Sequence, residues 1–537
     1  GYSSESVGGI PNWTTTKRFL VIDGLLSELD DLGELNMGDP KNLSDFIAWG
    51  LSAYPADNLA LVLWDHGSGW VGFAADMSAS YDGLTQAELK TGIADGLEQA
   101  GRDRFTVVGF DACLMGSLET ALVLRDHAEY LLGSEELEPG HGWDYTAFSG
   151  ARDDPAQDVI TLADAIVTGF RGQALVEGTS ATITLAMIDL YALKAVERAL
   201  IAVQGMYASG TIAAAFGRAR GDTREFGREP TAQSSANMVD LADVMVAIAD
   251  ATQADEPRKV AEAVHHVIMT QTRGSATSAA NGLSVYWPPA VLYDQEYATI
   301  PGIDAWRDLL AMIVLVDTGG SSGLAFVSGT AAAISQSAYV RFSGQLVEGT
   351  SANVTDEGMY YGFTVGGETY VLGDSFGQLT SSGQVIADWN RNVMIVSQGA
   401  TRDFAYYSYQ PGDNGTTVAT MPFGYAASST APIDTALLVA IYNASGGLVQ
   451  QMLYLSTAAG YGQLTPASGS QLFPVYGHMT STGLEFLASE TLLNPQQPLN
   501  FTFETLSTSA VNRNAFVLLY AQDYAGHSAN ASWMGKL

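Results

Sequence analysis

The chain has 537 residues, a formal net charge of −34, 47% hydrophobic and 15% charged residues. That composition is globular rather than disordered, and the length asks for several domains with a sizeable core. The negative balance argues against nucleic acid as a partner, because displacing phosphate counterions needs basic patches. A single cysteine, Cys113, excludes an internal disulfide and a cysteine-rich zinc or iron–sulfur site. No apolar run is read as long enough to span a membrane. Sequons at Asn12, Asn42, Asn353, Asn414, Asn443, Asn500 and Asn530 accord weakly with a secreted or cell-surface location.

In chain order, 18–23 is a short apolar strand candidate and 44–53 a helix. Residues 59–64 (LALVLW) form a continuous apolar run of strand length, the pattern of a strand buried on both faces. Thr85 and Glu88 stand at capping-box spacing, and Leu84, Leu89, Ile93 and Leu97 recur at helical intervals behind them. Residues 105–110 are the next buried strand and 118–124 the next helix. Strands at 130–133, 182–188 and 283–286 and helices at 157–172, 190–206, 238–251 and 257–272 complete the set. Strands separated by helices predict an α/β domain over 1–317, with a mostly parallel sheet covered on both faces.

At 318–323 the composition becomes that of a flexible linker. Beyond it the helical period disappears, and short alternating runs such as YVRFSGQLV and FVLLYAQDY lie between Gly, Asn, Asp and Ser clusters. This predicts all-β, sandwich-type structure. A break at Ala431-Pro-Ile-Asp divides it into modules at 324–430 and 431–537, with one larger sandwich as the alternative.

The chemistry is concentrated after two of the buried strands. His66 follows the first, in WDHGSGW, and Cys113 the second, in VVGFDACLMG. Ligands of parallel α/β sheets bind at the carboxyl ends of strands, and adjacent strands would bring these two residues face to face. Gly67 and Gly69 would let backbone approach a substrate and aim an N–H group at a carbonyl oxygen. A helix N-terminus close to Cys113 and a neighbouring imidazole would both favour thiolate. Alone, His66 reads equally as a residue of an ordinary loop and Cys113 as an inert buried thiol; the pairing favours chemistry.

The segments LVLWDHGSGW, GFDACLMGSLETA, GSEELEPGHGWDY, MVDLAD and NGLSVYWP resemble, in order and wording, the hallmark blocks of the clostripain family, within the caspase-like cysteine peptidases. The resemblance covers most of 11–290 and leaves the C-terminal β region uncovered. It implies a three-layer αβα domain and an endopeptidase with His66 as acid/base and Cys113 as nucleophile. It also implies an oxyanion hole from the N–H groups of Gly67 and Cys113, and cleavage after Arg or Lys. Asp111 would sit in the primary specificity pocket, where a buried cation needs a charged partner; its structural alternative is a helix cap. Among Glu135, Glu136, Glu138 and Asp144, Asp144 is taken as the second pocket carboxylate. His141 reads as a loop histidine and His265-His266 as a helix surface rather than metal ligands.

The expected partner is a peptide or protein with basic residues, and no cofactor is implied; relatives differ on calcium, and no EF-hand-like loop is present. Relatives usually begin with a strand and helix upstream of the WTTT segment, so the resemblance implies either an N-terminal segment removed by processing, which could stay bound as a further partner, or a truncated chain. Residues 67–89 contain no Lys or Arg, which tells against self-cleavage there or against basic specificity. Rival readings are Asn or small-residue specificity on the same scaffold, and a surface adhesin with a vestigial peptidase domain.

Overall fold

The computed structural model describes residues 12–22, 25–154, 156–206, 211–315, 323–457, 460–480, 483–507 and 513–537. The start of the chain and nearly all of the expected 318–323 linker lie outside them. Strands Lys17–Ile22 (β1) and Leu25–Asp31 (β2) pair antiparallel with each other, so the first expected strand forms a separate hairpin. Helix Pro40–Ala53 (α1) is capped by Asp39 and leads to Ala60–Trp64 (β3). Gly72–Asp76 (β4) and Asp82–Thr85 (β5) form a hairpin before Gln86–Gln99 (α2). The predicted box is made: Thr85 Oγ1 accepts from Glu88 N–H while Glu88 accepts from Thr85 N–H.

Phe105–Asp111 (β6), Leu118–Leu124 (α3), Ala128–Gly133 (β7), Phe148–Asp153 (α4), Val159–Glu177 (α5), Thr184–Asp189 (β8) and Leu193–Gln204 (α6) follow. Then come Thr211–Asp222 (α7), Glu225–Phe226 (β9), Met238–Asp240 (β10), Leu241–Thr252 (α8), Asp255–Val267 (α9), Ile268–Arg273 (β11), Ser284–Tyr286 (β12) and Asp304–Leu315 (α10). The central sheet runs β11-β8-β7-β6-β3. Its β3/β6 and β6/β7 pairings are parallel, whereas β7/β8 and β8/β11 are antiparallel. The sheet is therefore mixed, not mostly parallel, because an apolar run reports burial and not strand direction. Alternate residues face opposite layers. Val107, Leu132, Leu185 and Met187 pack with Ile166, Val167 and Phe170 of α5. Val108, Phe110, Leu131 and Ile188 join the larger core with α2, α3, α6 and α9.

By length and composition, α5 is apolar enough to cross a membrane, contrary to the sequence reading. Here its Ile166, Val167, Phe170 and Ala174 are buried against the sheet.

Eleven of the C-terminal strands form one sheet, and the others form a four-stranded and a three-stranded sheet. The expected boundary at 431 falls in the turn of a hairpin between Thr417–Ala426 and Asp434–Tyr442, which pair from Thr417↔Tyr442 to Tyr425↔Asp434. Strand Val354–Val365 pairs with Asn514–Asp523, so residues of both expected modules interleave in the same sheet. Smaller sheets pack on it: Phe342, Val385 and Trp389 against Tyr361 and Leu519, and Met394 and Val396 against Phe423 and Leu438. Val418, Leu437, Val439, Ile441, Met452, Tyr454 and Tyr461 of the large sheet belong to the same buried core as the α/β domain.

Candidate active site

β3 and β6 are paired in register, Trp64 opposite Asp111, so the chain leaves both strands at one edge. Asp65-His66-Gly67 and Ala112-Cys113 follow side by side. A Cβ on Gly67 would lie 2.0 Å from the Cys113 carbonyl oxygen and 3.1 Å from its nitrogen. Only glycine permits that approach, which brings the Gly67 and Cys113 backbones together. Immediately after, Leu114 adopts φ +64, a conformation branched residues rarely take outside functional turns. Its N–H reaches the Glu136 carbonyl at 3.3 Å, and Gly116 N–H reaches Ser134 O at 2.7 Å. These bonds dock the turn on the loop after β7.

His66 is half-buried, and its Nδ1 has no hydrogen-bond partner. Its N–H donates to Asp65 Oδ1 at 2.6 Å. Burial pushes the Asp65 carboxyl up, opposed by that bond and by the charge His66 can carry. Cys113 is 3% exposed. Burial drives its thiol well above the usual range. The Glu138 N–H, donated to Sγ at 3.2 Å, works the other way, and the carboxyl charges of Glu138 and Glu136 add to the rise. The expected helix terminus is also further away: α3 begins at Leu118 and its cap is Ser117, whose hydroxyl accepts from Thr120 N–H. In this closed arrangement the thiol form is favoured over thiolate.

Asp111 is buried, and its Oδ2 accepts from Trp143 N–H at 3.0 Å and from Tyr145 OH at 2.9 Å. Desolvation raises its pKa against those bonds. Gly142, at φ +64, allows the approach, since a Cβ there would lie 2.6 Å from Oδ2. Glu138, 5% exposed, lies against Asp111 and Trp143. Desolvation first, and then the nearby Asp111 charge, push its carboxyl well above the ordinary range. Asp144 instead caps the short turn Tyr145–Ala147, its Oδ1 accepting from Thr146 N–H at 3.0 Å and Thr146 Oγ1 at 2.6 Å.

The other acids of that loop hold backbone. Glu136 accepts from Leu137 and Gly227 N–H, and Glu135 from Gly282 N–H. His141 is engaged by Gly142 O and Thr179 Oγ1, and His265 by Asn281. Among the described residues no group of three or more His, Cys, Asp or Glu is placed to hold a metal. Sequence reasoning named four acids around a glycine-rich loop, but which one turns toward Asp111 depends on the path of that loop. It had no signal at all for Tyr461 and Gly462, which the fold brings onto Gly67 and His66.

A thiol, an imidazole and two backbone N–H groups gathered at one strand edge suit covalent acyl transfer. Residues 26–288 match the family model described as the clostripain family. Clostripain of Hathewaya histolytica is 31% identical over 131 residues, 21% of this chain, and the match covers 24% of that protein, about a quarter of its length. A secreted C11 cysteine protease of Bacteroides thetaiotaomicron, solved with an irreversible peptide inhibitor, aligns at TM-score 0.42 and 18% identity over 55% of this chain and 86% of that one. An inactive zymogen C11 protease of Parabacteroides distasonis aligns at TM-score 0.39 and 18% identity over 55% and 82%. Over residues 26–288, just under half of its length, this chain is similar to the clostripain family of cysteine peptidases.

Proposed function

We propose that the chain is an extracytoplasmic cysteine endopeptidase that cleaves after Arg or Lys. The observation that carries this reading is the in-register pairing of β3 with β6, which delivers His66, Gly67 and Cys113 to one edge with the Gly67 and Cys113 backbones in contact. His66 takes the proton of the Cys113 thiol as Sγ attacks the scissile carbonyl carbon. The N–H groups of Gly67 and Cys113 donate to the oxyanion. His66 then protonates the leaving amine as the C–N bond breaks, and afterwards deprotonates the water that hydrolyses the thioester. These steps draw on protein groups alone.

Basic specificity is supported by Asp111 and Glu138, two buried carboxyl groups against each other beside the nucleophile's loop. Such a pair is costly to ionise unless a cation enters, and a guanidinium or ammonium supplies the missing charge and donors. A carboxylate pair gives no such advantage to Asn or a small residue. The extracytoplasmic reading rests on the acidic balance and the sequons. Fluorogenic peptides varied at the residue before the scissile bond test the proposal. Arg and Lys should dominate, and Cys113→Ala should abolish turnover; a preference for Asn or Ala would overturn the specificity.

A further inference from the structure

Strand Gly460–Gln463 sits at the edge of the large C-terminal sheet, yet it makes its second set of contacts with the catalytic loops. Tyr461 and Gly67 form an antiparallel bridge: Tyr461 N–H donates to Gly67 O at 3.1 Å, and Gly67 N–H donates to Tyr461 O at 3.4 Å. The second bond takes up one of the two donors assigned above to the oxyanion. Residues 460 and 462 share one face of the strand by its two-residue period. Both are glycine, and both lie against the site. A Cβ at Gly462 would be 2.5 Å from His66 Cε1 and 2.8 Å from each ring nitrogen. One at Gly460 would be 2.3 Å from Ser68 Oγ and 2.5 Å from Gly67 O.

The opposite face is anchored. Tyr461 OH donates to Glu229 at 2.9 Å, and Ser456 reaches the same carboxylate at 2.7 Å. Gln463 Oε1 accepts from Gly140 N–H at 2.6 Å, in the loop that carries Glu138. Gln450 accepts from Ala181 N–H at 2.8 Å. Tyr454, fully buried on the neighbouring strand, lies within electrostatic reach of Cys113.

We propose that the C-terminal β region is a built-in inhibitor, whose strand Gly460–Gln463 occupies the peptide-binding edge of the catalytic loops and keeps Cys113 and His66 out of reach until it is displaced. The proposal rests on the peptidase reading. A module that merely packed beside the domain would not need to lay a glycine Cα on the His66 ring or engage Gly67 N–H. An extended peptide added to an exposed backbone edge is also how substrates are commonly held, with main-chain hydrogen bonds giving affinity. The strand reads Gly-Tyr-Gly-Gln and carries no cation. It therefore fills the backbone track without satisfying the Asp111–Glu138 pair, as suits an occupant that is held and not cut.

Because Cys113 is the sole cysteine, the intact mass after iodoacetamide treatment reports its accessibility directly. The full chain is compared with Gly462→Leu, which pushes the strand off His66, and with Gln463→Ala, which removes only the Gly140 bond. Melting curves establish that each variant is folded. Alkylation should be slow in the parent, at least about tenfold faster in Gly462→Leu and a few-fold faster in Gln463→Ala, with Arg-peptide turnover rising in step. Should Gly462→Leu fail to fold, Gln463→Ala and the parent rate carry the comparison. Parent chain that alkylates and turns over peptide as fast as both variants overturns the inhibitor while leaving the peptidase intact. Faster alkylation in the variants without turnover supports the occluding strand and overturns the peptidase reading instead.

Discussion

Asp111 and Glu138 face one desolvated corner, and their burial has separate consequences for specificity and stability. Asp111→Asn should cut kcat/KM after Arg and Lys by about 2–5 kcal/mol, as for a buried charge left without its partner, and spare uncharged residues at that position. A uniform loss across the peptide panel would remove Asp111 from the pocket. For Glu138 the folded pKa lies above the unfolded value. Between the two, the native state holds more protons than the unfolded chain, so stability falls as pH rises through that window. Glu138→Gln should therefore raise the melting temperature at pH 7 relative to the parent, with a smaller difference near pH 4. Calorimetry at the two pH values checks this, and equal shifts would contradict it. At this scale the sequence revealed residue types and order, but not side-chain direction. The position of His66, Gly67 and Cys113 just beyond the ends of β3 and β6 was legible because strand ends are predictable. Glu138 rather than Asp144 was not, because a loop's turns follow from bonds such as Glu138 N–H to Sγ that connect positions 25 apart.

Helix starts carried the clearest local information. Thr85→Ala removes the Oγ1 half of the α2 box, leaves the bond from the residue-85 N–H to Glu88, and should cost about 1 kcal/mol, with kcat/KM unchanged because Gln86 keeps its bond to Gly69 O. Denaturant melts measure the first and peptide turnover the second. Element ends were less legible. Residues 257–272 read as one helix, yet α9 ends at Val267 and Ile268–Arg273 is a strand. The expected helix 238–251 likewise opens with strand Met238–Asp240, where Asp240 then accepts from Asp243 N–H as the cap of α8. In both places an apolar run continues across a change of period, and only pairing with a neighbour fixes the change. The Pro-Ile-Asp signal at 432–434 was equally ambiguous, since a hairpin turn and a linker use the same residues.

At the scale of the whole molecule, the large C-terminal sheet contributes Leu437, Val439, Ile441 and Tyr454 to the core that also holds Cys113 and Leu114. Leu437, fully buried there, should cost about 2–5 kcal/mol when changed to Ala. One calorimetric transition should carry both regions down together; two transitions, with only the later-melting or earlier-melting one shifted, would show that they do not share a core. Contacts across nearly 400 residues of sequence, such as Gly67 with Tyr461, leave no local periodicity, which is why the closed state of the site was not legible beforehand. The most direct test of the central claim is turnover of an Arg-containing fluorogenic peptide by the parent, by Gly462→Leu, and by each combined with Cys113→Ala. Cleavage after Arg that is slow in the parent, faster in Gly462→Leu, and vanishes with Cys113→Ala in both backgrounds is the expected result. Cleavage that survives the loss of Cys113 would contradict it.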